Sequence, residues 1–123
     1  MKIQLALLIF GLSLLSAFHA REKLNSGDEK LVIEICKTKL KNSNINSEHY
    51  DIKVLKDIIT VKELKRERIF RGKNNYYYNN ILPQLKGKKF VRVYFYPVKE
   101  VLDGSIVFYI DPNTKEILRI DNY

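Results

Sequence analysis

The last third of the chain leaves few folds open. Phe90 to Tyr96, Ser105 to Ile110 and Glu116 to Ile120 are short apolar-rich runs in which no helical period competes. Gly87 and Pro97 bound the first, and Asp103-Gly104 and Asp111-Pro112-Asn113 bound the second. The third lies between that last turn and the C-terminus. Three antiparallel strands are expected, with Gly104 and Asn113 at the positive-φ positions that tight turns need.

Upstream, the pattern changes period. Ser26, three residues ahead of Glu29, reads as a capping box that also sets acids on a helix N-terminus. Leu31, Val32, Ile35, Cys36 and Leu40 follow at near-helical spacing, with Glu34, Lys37, Lys39 and Lys41 on the other face. Asn42-Ser43-Asn44 and Asn46-Ser47 stop this amphipathic helix with side chains that prefer turns. Tyr50, Ile52 and Val54 then alternate with Asp51, Lys53 and Leu55, as a half-buried strand would. Thr60 and Glu63 form a second capping box, with Ile59 and Leu64 placed for a hydrophobic staple, so a second helix should begin at Val61. It weakens at Gly72-Lys73-Asn74-Asn75, resumes through Tyr76-Tyr77-Tyr78 and ends before Pro83.

Helix, strand, helical insertion and meander add up to an α+β fold. An N-terminal amphipathic helix should lie across a curved antiparallel sheet of about four strands, with a helical insertion after the first. One face of such a sheet can stay open to water or to a partner.

The first twenty residues do not belong to that pattern. Lys2, the apolar run Leu5 to Leu15 and the small-residue exit Ser16-Ala17-Phe18-His19-Ala20 read as an export signal. An apolar stretch of roughly ten residues is half the ~20 that a membrane-spanning helix needs. Residues 1–20 are therefore expected to be removed, after Ala20 or alternatively after Ala17, with no stable membrane insertion afterwards. Residues 21–123 then suit one small domain. Net charge is +8 over the chain and +7 without Lys2, which favours anionic partners.

Cys36 is the one cysteine, so stability must come from packing without an internal disulfide. In an exported chain this points to a bacterial periplasm rather than to a small disulfide-stapled secreted domain. His19 leaves with the signal, and His49 remains as the single imidazole, set in a polar turn. A Cys36 nucleophile with His49 as base is outweighed by the place of Cys36 on the apolar helix face, where a thiol is buried and inert. Asp103, Asp111 and Asp121 match no calcium-loop spacing. No catalytic residue, metal site or cofactor is expected.

Phe90-Val91-Arg92-Val93-Tyr94-Phe95-Tyr96-Pro97, then Val101-Leu102-Asp103-Gly104, then Phe108-Tyr109-Ile110-Asp111-Pro112-Asn113-Thr114-Lys115-Glu116-Ile117-Leu118 carry a resemblance. This ending, together with the leading helix, resembles small exported cystatin-like domains, including the nuclear-transport-factor-like immunity proteins of bacterial toxin systems. Lys115 stands where those hairpins usually hold glycine, and Asp103 where a second glycine is common. The resemblance implies a cystatin-like fold more than an activity, because that fold hosts inhibitors, immunity proteins, cavity enzymes and sensors alike.

Lys62 to Lys73, Tyr76-Tyr77-Tyr78 and Lys86-Gly87-Lys88-Lys89 form the most distinctive surface candidate. Tyrosine and arginine bury large area at low entropic cost and carry binding hot spots. Arg68, Arg71, Tyr76, Tyr77 and Tyr78 are the expected partner-binding residues, with Tyr94 and Tyr96 on the open sheet face. The partner expected is a protein with an acidic surface, a toxin, effector or hydrolase. Export argues against nucleic acid. The leading expectation is thus an exported non-catalytic binder, an immunity protein that neutralises a toxin in the periplasm. The alternatives are an envelope accessory or sensor domain, a cystatin-type protease inhibitor whose glycine-containing inhibitory loop is missing here, and a small cavity enzyme using Tyr50, Tyr94, Tyr96 and Asp51.

Overall fold

The computed structural model describes residues 22–69, 83–98 and 104–122, with the side chains of 67–69 left out. The expected export signal and the tyrosine run at 76–78 lie outside the described residues. In chain order the elements are α1 (Ser26–Asn42), a 3-10 turn (Ser47–His49), β1 (Tyr50–Ile59), α2 (Val61–Ile69), β2 (Phe90–Pro97), β3 (Ile106–Ile110) and β4 (Ile117–Asn122). The strands form one antiparallel sheet in the order β1-β2-β3-β4, so the chain is α+β.

Helix α1 starts one residue earlier than its sequence suggests. Asn25, in extended backbone, is the cap: its side-chain oxygen accepts from Asp28 N at 2.8 Å, and its amide donates back to the Asp28 carboxylate at 3.1 Å. The cap is therefore Asn25 with Asp28 as its partner, rather than Ser26 with Glu29. Asp28 and Glu29 in the first turn and Lys39 and Lys41 in the last complement the helix dipole. At the other end Asn44 takes φ 60, Asn44 N donates to Lys41 O at 3.0 Å, and Ile45 N donates to Leu40 O at 2.9 Å. That is a Schellman stop, with Ile45 packed on the cluster that contains Leu40.

The buried stripe of α1, Val32, Cys36 and Leu40, lies on one face of the sheet. Period-two alternation supplies that face with Val91, Val93 and Phe95 from β2 and with Ile106, Phe108 and Ile110 from β3. Tyr50, Ile52 and Val54 add β1 in the phase its sequence predicts. Phe95 is held edge-on by Phe108 at 5.4 Å and by Tyr50 at 6.3 Å, contacts of about 0.5–1.5 kcal/mol each beyond burial.

Strand β1 runs past Leu55 through a register shift in which the four steps from Leu55 to Ile59 oppose two from Arg92 to Phe90, so the side-chain phase is kept. Ile58 then packs with the α1 cluster and Ile59 with the opposite one. On that opposite face a second core forms, in which Ile59, Leu64 and Leu85 cover Phe90, Val107 and Tyr109. Leu64 N donates to Thr60 O at 3.1 Å, and Ile59 and Leu64 share the cluster, as the staple requires. The second face, expected to stay open, is thus open only in part. One half is covered by side chains from the insertion, leaving β3 buried on both faces.

The β3–β4 hairpin also departs from expectation. Asp111 accepts at its side chain from Asn113 N (2.8 Å) and Thr114 N (3.1 Å), and these two bonds, Thr114 first, hold its carboxyl below the usual carboxylate range. The left-handed residue is Lys115, at φ 63, and not Asn113. Lys115 N donates to Asp111 O and Asp111 N to Glu116 O, both at 2.9 Å. Lys115 thus fills the position where a glycine is usual, and its ammonium lies 3.5 Å from Asp28 at the start of α1 and donates to Pro112 O.

Candidate binding groove on the second sheet face

The uncovered half of the second face carries Tyr94 and Tyr96. They are two apart on β2, so their side chains share a face. Their rings stack at 5.6 Å with 7° between planes. Tyr94 is half-buried against the second core, and Tyr96 is 39% exposed. The register places Lys53 opposite Tyr94 and Leu55 opposite Arg92. Lys23 arrives from the segment before α1, which is fixed to β1 by Leu24 N to Lys56 O (2.8 Å), Ile58 N to Glu22 O (2.9 Å) and a bridge between Lys23 and Asp57.

Together these residues line an open groove of about 580 Å³, with Lys23, Lys53 and Lys56 on its walls, Asp57 beside them and Arg92 and the tyrosine pair below. The cations are not equivalent. Lys56 is committed to α1, its ammonium 2.9 Å from Glu29, and Arg92 is 5% exposed. Lys23 and Lys53 are exposed and make no ion pair among the described residues. The groove therefore pairs a flat aromatic surface with two exposed ammonium groups that make no ion pair among the described residues. Such a surface suits a carboxylate-bearing segment whose apolar atoms lie on the rings.

Comparison with family models, with curated proteins and with solved structures gave no match.

A second hollow, of about 600 Å³, lies between the end of α1 and the 3-10 turn. Glu34 and Glu48 alternate there with Lys37 and Lys41, and Lys37 sits 3.9 Å from Glu34. Its charges largely cancel, and among the described residues no aromatic ring lines it, so it offers a ligand less than the groove does.

Of the sequence-expected interface residues, Tyr94 and Tyr96 are brought together on the uncovered half-face. Arg68 lies in α2 with its side chain outside the described residues; Arg71, Tyr76, Tyr77 and Tyr78 lie wholly outside them. Lys23, Lys53 and Arg92 were not singled out by sequence. Lys53 carries a signal, the phase opposite to Ile52 and Val54, but its meeting with Tyr94 depends on a register that only the fold supplies.

The sequence's chemical candidates are placed as follows. Cys36 is fully buried, and burial pushes its thiol up to about 12. His49 is exposed at the end of the 3-10 turn, and no hydrogen bond joins it to Cys36 among the described residues. Asp111 is engaged in its turn, Asp121 accepts from Arg119 Nε at 2.7 Å, and Asp103 is outside the described residues. Among the described residues no three His, Cys, Asp or Glu side chains are grouped to hold a metal, and no helix is long and apolar enough to cross a membrane.

Proposed function

We propose that this chain is an exported, non-catalytic binding protein of cystatin-like build, which neutralises an acidic protein partner in the periplasm as an immunity protein does. The partner is a toxin, effector or hydrolase, and its acidic segment lies in the groove with Tyr94 and Tyr96 as anchor and Lys23 and Lys53 as charge partners. The observation that carries the reading is the stacked tyrosine pair beside two exposed lysines that make no ion pair among the described residues. Tyrosine is a favoured hot-spot residue, and exposed cations steer an anionic partner. The leader-like first twenty residues and the positive net charge support the same reading.

The test begins with capture of the partner by the exported chain and moves to titration calorimetry with the purified pair. Tyr96→Ala and Lys53→Glu should each weaken binding at least tenfold while leaving the melting temperature within about 2 °C, since both side chains are exposed. Raising salt should weaken the wild-type complex and scarcely affect the Lys53→Glu complex. Unchanged affinity in both variants would remove the groove from the reading.

A further inference from the structure

The two outer strands of the sheet are finished differently. Residues 22–24 bond to the far end of β1 and cover that part of its edge. Strand β4 pairs with β3 on one side, and among the described residues no strand or bridge takes its other edge. An open edge offers a row of backbone donors and acceptors to another chain, and natural proteins usually guard it with charge. Here the charges compensate each other, because Arg119 Nε donates to Asp121 Oδ1 at 2.7 Å. Between them, Ile120 is 37% exposed on the helix-bearing side, opposite Phe108 in the register.

We propose that β4 is a homodimerisation edge, at which two copies of the chain pair antiparallel about a two-fold axis at Ile120 and continue one sheet into the other. The strand is self-complementary about that residue. For the faces to be continuous, each residue must pair with one from the same face of the copy. With the axis at Ile120, Arg119 of each copy stands opposite Asp121 of the other, and the two Ile120 side chains meet on the helix side. Shifting the axis by one residue sets Arg119 opposite Arg119 or Asp121 opposite Asp121, and directly opposed like charges destabilise a sheet. The charge pattern therefore selects one register and one closed assembly.

The groove lies on β1 and β2, at the other side of the sheet, so this inference does not depend on the binding reading.

Sedimentation equilibrium of the exported chain over a hundredfold concentration range is expected to show a reversible monomer–dimer equilibrium. Arg119→Glu makes positions 119 and 121 both acidic, and Asp121→Lys makes both basic. Each variant alone should dissociate at least tenfold more readily than wild type, and an equimolar mixture should regain a dimer containing one copy of each. Circular dichroism establishes that each variant is folded. Should either unfold, Ile120→Lys at its exposed position replaces the pair, with the dimer lost at unchanged melting temperature. A wild-type chain that is monomeric throughout, a mixture of folded variants that stays monomeric, or a dimer indifferent to Ile120→Lys overturns the proposal.

Discussion

Replacing Lys115 separates two opposed effects that meet in one residue. Its backbone is left-handed, at φ 63, which costs an L-residue with a Cβ about 1–2 kcal/mol. Its side chain, 17% exposed, reaches Asp28 at 3.5 Å and Pro112 O, and so ties the hairpin to the first turn of α1. Lys115→Ala keeps the backbone cost and removes the tie, a loss of up to about 1 kcal/mol for an ion pair this open to solvent. Lys115→Gly also removes the tie but relieves the backbone. Glycine's greater freedom in the unfolded chain returns about 0.4–1 kcal/mol of that relief. Glycine should therefore be more stable than alanine by about 0.5–1 kcal/mol, with wild type close to glycine. Urea unfolding of the three chains, with equal m-values as the check on mechanism, resolves that order. A double-mutant cycle with Asp28→Ala should then give a coupling that fades in high salt for lysine and is absent for glycine. An alanine variant as stable as the glycine variant would refute the left-handed assignment at Lys115 and with it this account of the hairpin.

Two further outcomes follow from single residues. Asn25→Ala should cost about 1 kcal/mol in urea unfolding, whereas Ser26→Ala should be within about 0.5 kcal/mol of wild type, because Asn25 bonds Asp28 N while Ser26 is the first helical residue. Cys36, buried and with its thiol pushed up to about 12, should resist a disulfide reagent at pH 8 in the folded chain and react at once in urea; fast labelling of native protein would contradict the packing of α1.

The strands were legible because their signals are local. Alternation placed Tyr50, Ile52 and Val54 on the helix side, and the turn residues separated three runs at nearly the observed bounds. The cap was less so, since Asn25 and Ser26 are both good caps with an acid three residues on, and backbone geometry decides between them. The left-handed residue was misplaced because asparagine at 113 is the better intrinsic candidate. The turn's hydrogen bonds from Asn113 N and Thr114 N to the Asp111 carboxylate, with the tie from Lys115 to Asp28, accompany the left-handed residue at 115 instead. The half-covered second face had no local signal, since Leu64 and Leu85 reach it from the insertion. Of the groove, the tyrosine pair was visible in the alternation of β2, while Lys23 depends on a bridge to Asp57 that no period announces.

Strands β1 and β2 are neighbours in the sheet, and their register closes on Ile59 and Phe90, with residues 60–89 between. The entropy of closing such a loop grows only with the logarithm of its length, roughly 0.6 kcal/mol for each doubling. A change in the length of this connection, around the side chains of Val61, Leu64 and Leu85 that pack in the second core, therefore adds little closure entropy. Changes of length among descendants of this gene should therefore concentrate there, while the helix, the meander and the tyrosine pair stay in place.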